Sequence, residues 1–594
     1  MKRNLYHIIY LILVLKLSGQ QPAEPEISNT NYVKSVTLQD EVTLNNFLSS
    51  PASYSSSINL DYYDGLGRKI QQVAYMATPN LHNLIQHIEY DGYGRVVHEF
   101  LPYVNQLNGN LDTDASTNQA TFYSSRIDEK QTEYPYSTNK LEWSPLNRIV
   151  AKIHPGEAWQ AEEKHIRFLY ETNGASEVLF WDFSEIITSS VSYYTVAQLY
   201  KNTTVDEDGN ITIQYTNKEG QTILKKSRID TIWAETYYIY DAFGKLRIVL
   251  PPEATNRIND EFFAVASDRQ QFLDRWAFQY TYDGRGRMIE KRVPGSDPIF
   301  MIYDRWNRLV LTQDGNQRLN DEWTYTRFDV LNRPIINGIV TLNESVETLR
   351  SLAEIEIDRY EDYDSGHPLL FTENTFPSYL NNDPHSVTYY DNYDFLVSVT
   401  WDGFDFQPKD ELVEYNMNVK GNPTAQITWL LDESSDFIKS VTYYDDKYRV
   451  IQTISENHLG GMDVSSFWYD FSGNVLQMKQ EHFNGTESIE LLLSYSYDHA
   501  NRLLSCTHKL NDDPSVILYA NEYNELGELI GKNLHYDETE ESYKQQLDYE
   551  YNIRGWLRSI NESSLSGESM EPEPADLFSI ELLYNTALPN QPNN

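Results

Sequence analysis

Of 594 residues only Cys506 is a cysteine, so no disulfide can form within the chain, and the fold must hold by packing and hydrogen bonding. Cys506 itself reads as a small buried hydrophobe. Basic residues are scarce: 47 Lys+Arg stand against 88 Asp+Glu, a formal net charge of -41. So acidic a surface repels phosphate backbones and anionic lipid, and nucleic acid is not an expected partner. Long apolar runs are missing except Leu5 to Leu15, which follows Lys2 and Arg3 and precedes the polar "SGQQPAEP". That run is shorter than the roughly 20 residues of a membrane span and has the layout of a signal peptide over residues 1–20. A secreted or cell-surface protein without a transmembrane segment in its mature form is expected. The lone cysteine is too far from this region for lipoprotein acylation.

What the chain does have is 40% hydrophobic and 13% aromatic residues, too many rings for a disordered acidic chain. It also has a repeated phrase. Tyr-Asp, two free positions, then Gly or Asn and usually a base occur at Tyr63-Asp64 with Gly67-Arg68, Tyr90-Asp91 with Gly94-Arg95, and Tyr240-Asp241 with Gly244. The phrase returns at Tyr282-Asp283 with Gly286-Arg287, Tyr303-Asp304 with Asn307-Arg308, Phe328-Asp329 with Asn332-Arg333, and Tyr497-Asp498 with Asn501-Arg502. Worn copies stand at Tyr390, Tyr444, Tyr469, Tyr523 and Tyr551. A spacing of twenty-odd residues between neighbours is that of one hairpin per repeat.

The flanks alternate as half-buried strands do, "FQYTY" before the phrase and "RMIEKRV" after it. Asp can accept hydrogen bonds from amides just beyond it, Gly or Asn tolerates positive φ, and the Tyr ring can pack on the neighbouring hairpin. The phrase therefore reads as a turn with a packing anchor.

These copies, with "YYDGLGRKIQQV" at the start, the Pro155 to Trp159 stretch and "YEYNIRGWLRSIN" near the end, resemble the YD-repeat or rearrangement-hotspot (Rhs) family of exported bacterial proteins. The resemblance runs over about residues 45 to 585. It implies a mainly β fold: an array of stacked β-hairpins in a long curved, shell-like sheet with one or two short helical insertions. The expected segments are a signal peptide at 1–20, a polar segment at 21–44, an Rhs-associated β domain with degenerate repeats at 45–230, a YD-repeat array at 231–560 with a helix near 261–274, and a polar tail with the start of a further repeat at 561–594. The family assigns activity to a C-terminal effector, in interbacterial or host interaction, and leaves the repeat residues structural. No core segment or effector follows the last clear copy at Tyr551, which suits either a truncated or split frame or a stand-alone shell segment.

Asn105 to Lys130 is polar and reads as a surface insertion. A second helix is expected from about Ser345 to Ile355. "WDGFDFQPKDE" at Trp401 to Glu411 is similar to a chitinase-type strand, but Gln407 and Lys409 occupy the diagnostic places and no acid remains. It reads as a strand-turn segment. "DEDGN" at Asp206 to Asn210 reads as a hairpin turn, with loose calcium binding as the alternative. No paired-His, phosphate-loop or nucleophile-elbow motif is found. No catalytic, cofactor or metal residue is assigned. A non-enzymatic scaffold for an effector polypeptide, C-terminal or in trans, is expected; the alternative is a module binding surface glycans through exposed rings.

Overall fold

The structure is a computed structural model that describes residues 30–39, 56–126, 130–161, 164–181, 183, 192–258, 269–377, 382–409, 414–431, 436–561 and 577–584. The expected signal peptide and most of the polar tail lie outside these residues. The chain is mainly β with few helices, and it forms two compact units, Met1–Ile166 together with Val464–Asn594, and Arg167–Asp463. Among the described residues, no helix is long and apolar enough to cross a membrane.

In the first unit, Asn31–Leu38 pairs antiparallel with Ser56–Tyr63, which pairs with Lys69–Tyr75, which pairs with Asn83–Tyr90. The period of two in "SSINLDYY" sends Ile58, Leu60 and Tyr62 to one face, where they bury with Val73, Tyr75 and Ile85. The insertion expected from Asn105 to Lys130 keeps an exposed outer face, but Ala115–Ser124 is a helix whose inner face, Ala115 and Tyr123, joins this core. A polar sequence can be buried there because its polar groups are spent on each other: Asp112 accepts from Tyr103 Oη at 2.6 Å and from Asn118 Nδ2 at 2.8 Å, and Gln119 donates to the carbonyls of Leu101 and Pro135. The second stretch of this unit is a run of hairpins from Val475–Phe483 to Ile580–Glu581, each strand antiparallel to its chain neighbour. Cys506 lies within it, 2% exposed, with burial raising its thiol pKa.

The second unit starts at Arg167, within the strand Ile166–Thr172 that pairs with Tyr200–Val205, and proceeds by antiparallel neighbours to Val450–Glu456. Helices Pro252–Arg257 and Arg269–Trp276 pack Ala254, Phe272 and Leu273 on its core. The helix expected near 261–274 is thus seen from Arg269 onward; residues 259–268 lie outside the description. Val346–Ile355 is helical as expected, with Ser345 Oγ accepting from Thr348 N at 3.3 Å and Leu349 and Ala353 buried.

Two excursions fill this unit. The segment read as strand and turn at 401–411 is instead a 3-10 turn followed by irregular chain through Lys409, the rest lying outside the description. Its Trp401 and Phe404 are buried against Tyr389 and Phe395, so large rings close-packed off the sheet have replaced the expected pleat. The other excursion is anchored by Glu361, whose carboxylate accepts from the amides of Asn374 and Thr375, both at 2.9 Å, and faces the buried Arg327 guanidinium at 3.8 Å. Arg327 Nη2 donates to Pro377 O at 2.8 Å.

Because both charges of the Arg327–Glu361 pair are fully buried, Glu361→Ala leaves the Arg327 guanidinium with the partly exposed Glu373 at 3.5 Å as its counter-charge and removes the acceptor of the Asn374 and Thr375 amides; it should cost about 3 kcal/mol in urea unfolding. A second prediction concerns pH. His87 is buried with its ring 3.8 Å from Phe100, and burial lowers its pKa to about 4 against the opposing charge of Asp112. The folded state keeps it neutral while the unfolded chain takes up a proton below the usual 6.5. Stability is therefore withdrawn as pH falls from 6.5 toward about 4. His87→Leu should flatten that part of the stability curve.

Candidate functional site

The repeated phrase is the only constellation the sequence offers many times over, and each complete copy builds the same turn. At Asp283 the backbone N–H donates to Arg287 O at 3.0 Å and Gly286 N–H donates back to Asp283 O at 2.9 Å. Gly286 has φ +77, and the register shifts between Thr281 and Tyr282. This is a type I turn closed by a left-handed residue and a bulge. The carboxylate completes it: Oδ1 accepts the amides of Arg285 and Arg287 at 2.9 Å each, and Oδ2 accepts Arg287 Nε at 2.7 Å. Asp64 with Arg68, Asp91 with Arg95, Asp304 with Arg308 and Asp498 with Arg502 repeat it, with Nε to Oδ2 distances of 2.6–2.8 Å. Gly67 and Gly94, and Asn307 and Asn501 in the Asn copies, take the positive φ. Asp241 holds the amides of Phe243 and Lys245, and Arg247 stands in for the base, at 3.3 Å.

The hydrogen bonds have an electrostatic consequence. Asp64 and Asp91 are held below the usual carboxylate value, chiefly by the amides of Arg68 and Arg95. At Asp283 burial pushes upward, but the Arg287 amide and guanidinium outweigh it and the net shift is down. Burial raises Tyr282, Tyr303 and Tyr497.

Successive copies are joined by a second set of contacts. Tyr90 Oη donates to Lys69 O, Tyr497 Oη to Val475 O, and Tyr523 Oη to Leu503 O, each acceptor lying just past the preceding turn. The base of one copy covers the ring of the next: Arg68 lies 4.4 Å from the Tyr90 centroid, Arg287 5.0 Å from Tyr303, and Arg308 4.8 Å from Phe328. Arg287 Nη1 also reaches Asp304 O at 2.9 Å and Asn307 Oδ1 at 3.2 Å. Each guanidinium thus locks its own turn and docks on the following one.

Some turns escape a search for Tyr-Asp. Glu142 and Arg148 form a longer version, with Asn147 at positive φ and receiving Arg95 Nη1 at 2.9 Å. Asn217 to Gln221 and Asn457 to Gly461 close the same turn with an amide in place of the carboxylate, and Asp206 to Asn210 joins them as a hairpin turn. A polar acceptor followed three places later by Gly or Asn would have found all but the longer one. Tyr390-Asp391 departs the other way: Tyr390 keeps its place under Arg333, but Asp391 turns left-handed and binds Arg333 and Gly421 N.

Within the first unit the later turns are covered by the early chain. His499 contacts Met76 O through Nε2 and accepts from Gln39 through its carbonyl. Glu525 meets His82, and Glu528 pairs with the buried Lys130. The two phrases flanking the repeats touch: Arg554 lies 3.9 Å over the Trp159 ring, and a Cβ on Gly156 would stand 3.0 Å from Ile553 Cγ2.

The second unit contains a cleft of ≈ 970 Å³ between the Asp241 and Asp283 turns, with Trp181, Phe183, Tyr194, Tyr282, Asn217 and Gln221 among its walls. Among the described residues no group of three His, Cys, Asp or Glu side chains is placed to hold a metal ion.

The early chain that covers those turns carries a recognisable module. Residues 34–172 match the family model described as Domain of unknown function (DUF6443). No curated protein matches the chain. Among solved structures, the Photorhabdus luminescens Tc holotoxin pore aligns with a TM-score of 0.44 and 13% identity over 86% of this chain and 22% of that one. The crystal structure of TcdB2-TccC3 aligns at 0.40 and 12%, over 86% and 24%, and that of TcdB2-TccC3-Cdc42 at 0.41 and 12%, over 89% and 24%. The chain therefore spans about a quarter of the solved chains it aligns with.

Gly286→Val forces a branched side chain into φ +77 and against Lys245 Cε at 3.1 Å; it should cost about 1–3 kcal/mol by thermal or urea unfolding. Gly94→Val, crowded by Arg68 Nη1 at 3.1 Å, should behave alike. Asp283→Asn should be mild, because the amide oxygen can accept the same two backbone bonds.

Proposed function

We propose that the chain is a non-enzymatic, exported YD-repeat scaffold, a shell segment that encloses or presents a partner polypeptide supplied C-terminally or in trans, at the cell surface or outside the cell, in contact with other bacteria or a host. The observation that carries this reading is that the polar groups of the phrase are consumed by one another. In Asp283, as in Asp64, Asp91, Asp304 and Asp498, both carboxylate oxygens hold donors from the same turn. An active site needs one unique arrangement with a free reacting group, and a constellation repeated with its groups satisfied serves assembly. The 231–560 stretch acts as the repeat array in this reading, and residues 34–172 steady it by covering the later turns.

The test is to produce the chain alone, follow host growth, and measure stability of Asp283→Ala and Arg308→Met. Unchanged growth and a loss of stability alone are expected. Growth arrest by the chain alone, or a hydrolytic activity removed by Asp283→Asn at unchanged melting temperature, would refute it.

The aromatic cleft favours a second reading, in which the same scaffold holds a surface glycan by stacking sugar rings on Tyr282 and the exposed Phe243 with Asn217 and Gln221 as hydrogen-bonding partners. Fluorescence of Trp181, in the cleft wall, titrated with neutral oligosaccharides should respond, and Phe243→Ala should weaken the response; silence across the set would dismiss this reading.

A further inference from the structure

Arg68, Arg287 and Arg308 each cover the ring of the following copy, and Arg502 continues the series, 5.5 Å from the Tyr523 centroid. The copy at Tyr523 breaks it. Asn524 stands where the complete copies have Asp, and Glu528 stands where they have the base. The turn itself survives the exchange. Asn524 Oδ1 accepts the amides of Leu526 and Glu528 at 3.0 Å each, and Asn524 Nδ2 donates to Glu528 Oε2 at 2.8 Å. In the complete copies the matching bond runs from the guanidinium back to the carboxylate; here donor and acceptor have changed places.

The next ring, Tyr551, keeps the repeat hydrogen bond, to Leu529 O at 2.9 Å, and it still has a cation over it. Lys130 Nζ lies 5.7 Å from its centroid and pairs with Glu528 Oε1. This lysine comes from the early chain, 398 positions before Glu528, and its side chain is 6% exposed. An ammonium placed so deeply needs a counter-charge beside it, and Glu528 is that counter-charge.

We propose that Glu528 and Lys130 form a register lock: a charge reversal in one repeat marks the copy that the early chain covers, and Lys130 supplies the base which that copy lacks. This rests on the reading of residues 34–172 as the cover of the later turns, and it names what sets the position of that cover. Shifted back by one copy, Lys130 would face Arg502; shifted forward by one, it would face Trp556. Either displacement leaves a buried ammonium without a counter-charge, so the wrong registers are penalised as well as the right one being favoured. Gln39, by contrast, binds the backbone carbonyl of His499, a group that any copy offers at the same place.

Hydrogen exchange of the full chain, read by mass spectrometry, tests this. Residues 76–83 report on the cover, since Met76 O meets His499 and His82 meets Glu525. Glu528→Lys and Lys130→Glu each oppose like charges and should speed exchange there by about tenfold or more, and the double variant, which restores the pair in reverse, should return it to the native rate. Glu528→Arg separates the lock from the turn. An arginine there can cover Tyr551 from its own copy, so the Asn524 turn should stay protected while residues 76–83 are released. Unchanged exchange in the strands of the second unit shows that each variant has folded. Trp159→Ala removes the ring under Arg554 and should loosen residues 76–83 whatever the charge at 528. If Trp159→Ala releases them and Lys130→Glu does not, or if the double variant is no better protected than the single ones, the lock is overturned and the cover stands. If no variant releases them, the cover falls with it.

Discussion

A carboxylate that holds two amides of its own turn and a guanidinium four residues on is the unit from which the rest is assembled. It fixes the turn, the turn fixes hairpin register through the bulge at the preceding Tyr, and register decides which side chains face inward. Since the same guanidinium also covers the ring of the next copy, each turn is held locally and also supports its successor. Where the ion pair stays near the surface, as at Asp64–Arg68, its own contribution is modest; at Asp304–Arg308 it is buried. Its value lies in positioning, because it orients a planar group that stacks on one neighbour and donates to another.

This arrangement eases a problem set by composition. A chain of net charge -41 carries a self-repulsion that opposes compaction. In the complete copies the Asp is neutralised within its own turn, at N to O distances below 3 Å. Successive turns can then stand beside one another without opposing bare carboxylates.

The contacts that close the first unit are of another kind. They join residues hundreds of positions apart, Gln39 to His499 and Lys130 to Glu528, and they fall on turns that are already complete. A hairpin array can form one neighbour at a time from local contacts, whereas this cover demands that both ends of the chain be in place. The match of residues 34–172 to one family model coincides with the stretch that supplies it.

The sequence by itself determined the turns. Tyr, Asp, Gly or Asn, and Arg act within six residues of one another, so turn type, positive φ at Gly286 or Asn307, and the strands on either side were legible, as was the helix behind Ser345. Only the tertiary structure decided what those side chains do beyond their own hairpin: that Arg287 lies on Tyr303, that Trp159 receives Arg554, and that one face of the 115–124 helix joins the core, since its burial depends on Asp112 and Gln119 finding polar partners. The fate of 401–409 was hidden for the same reason. Its rings, Trp401, Phe404 and Phe406, can pack as an irregular wedge, and nothing within the segment announces that until Tyr389 and Phe395 are beside it. Local geometry is set by covalent neighbours and is written in the chain; burial is set by whatever else arrives, and that is settled only when the distant parts meet.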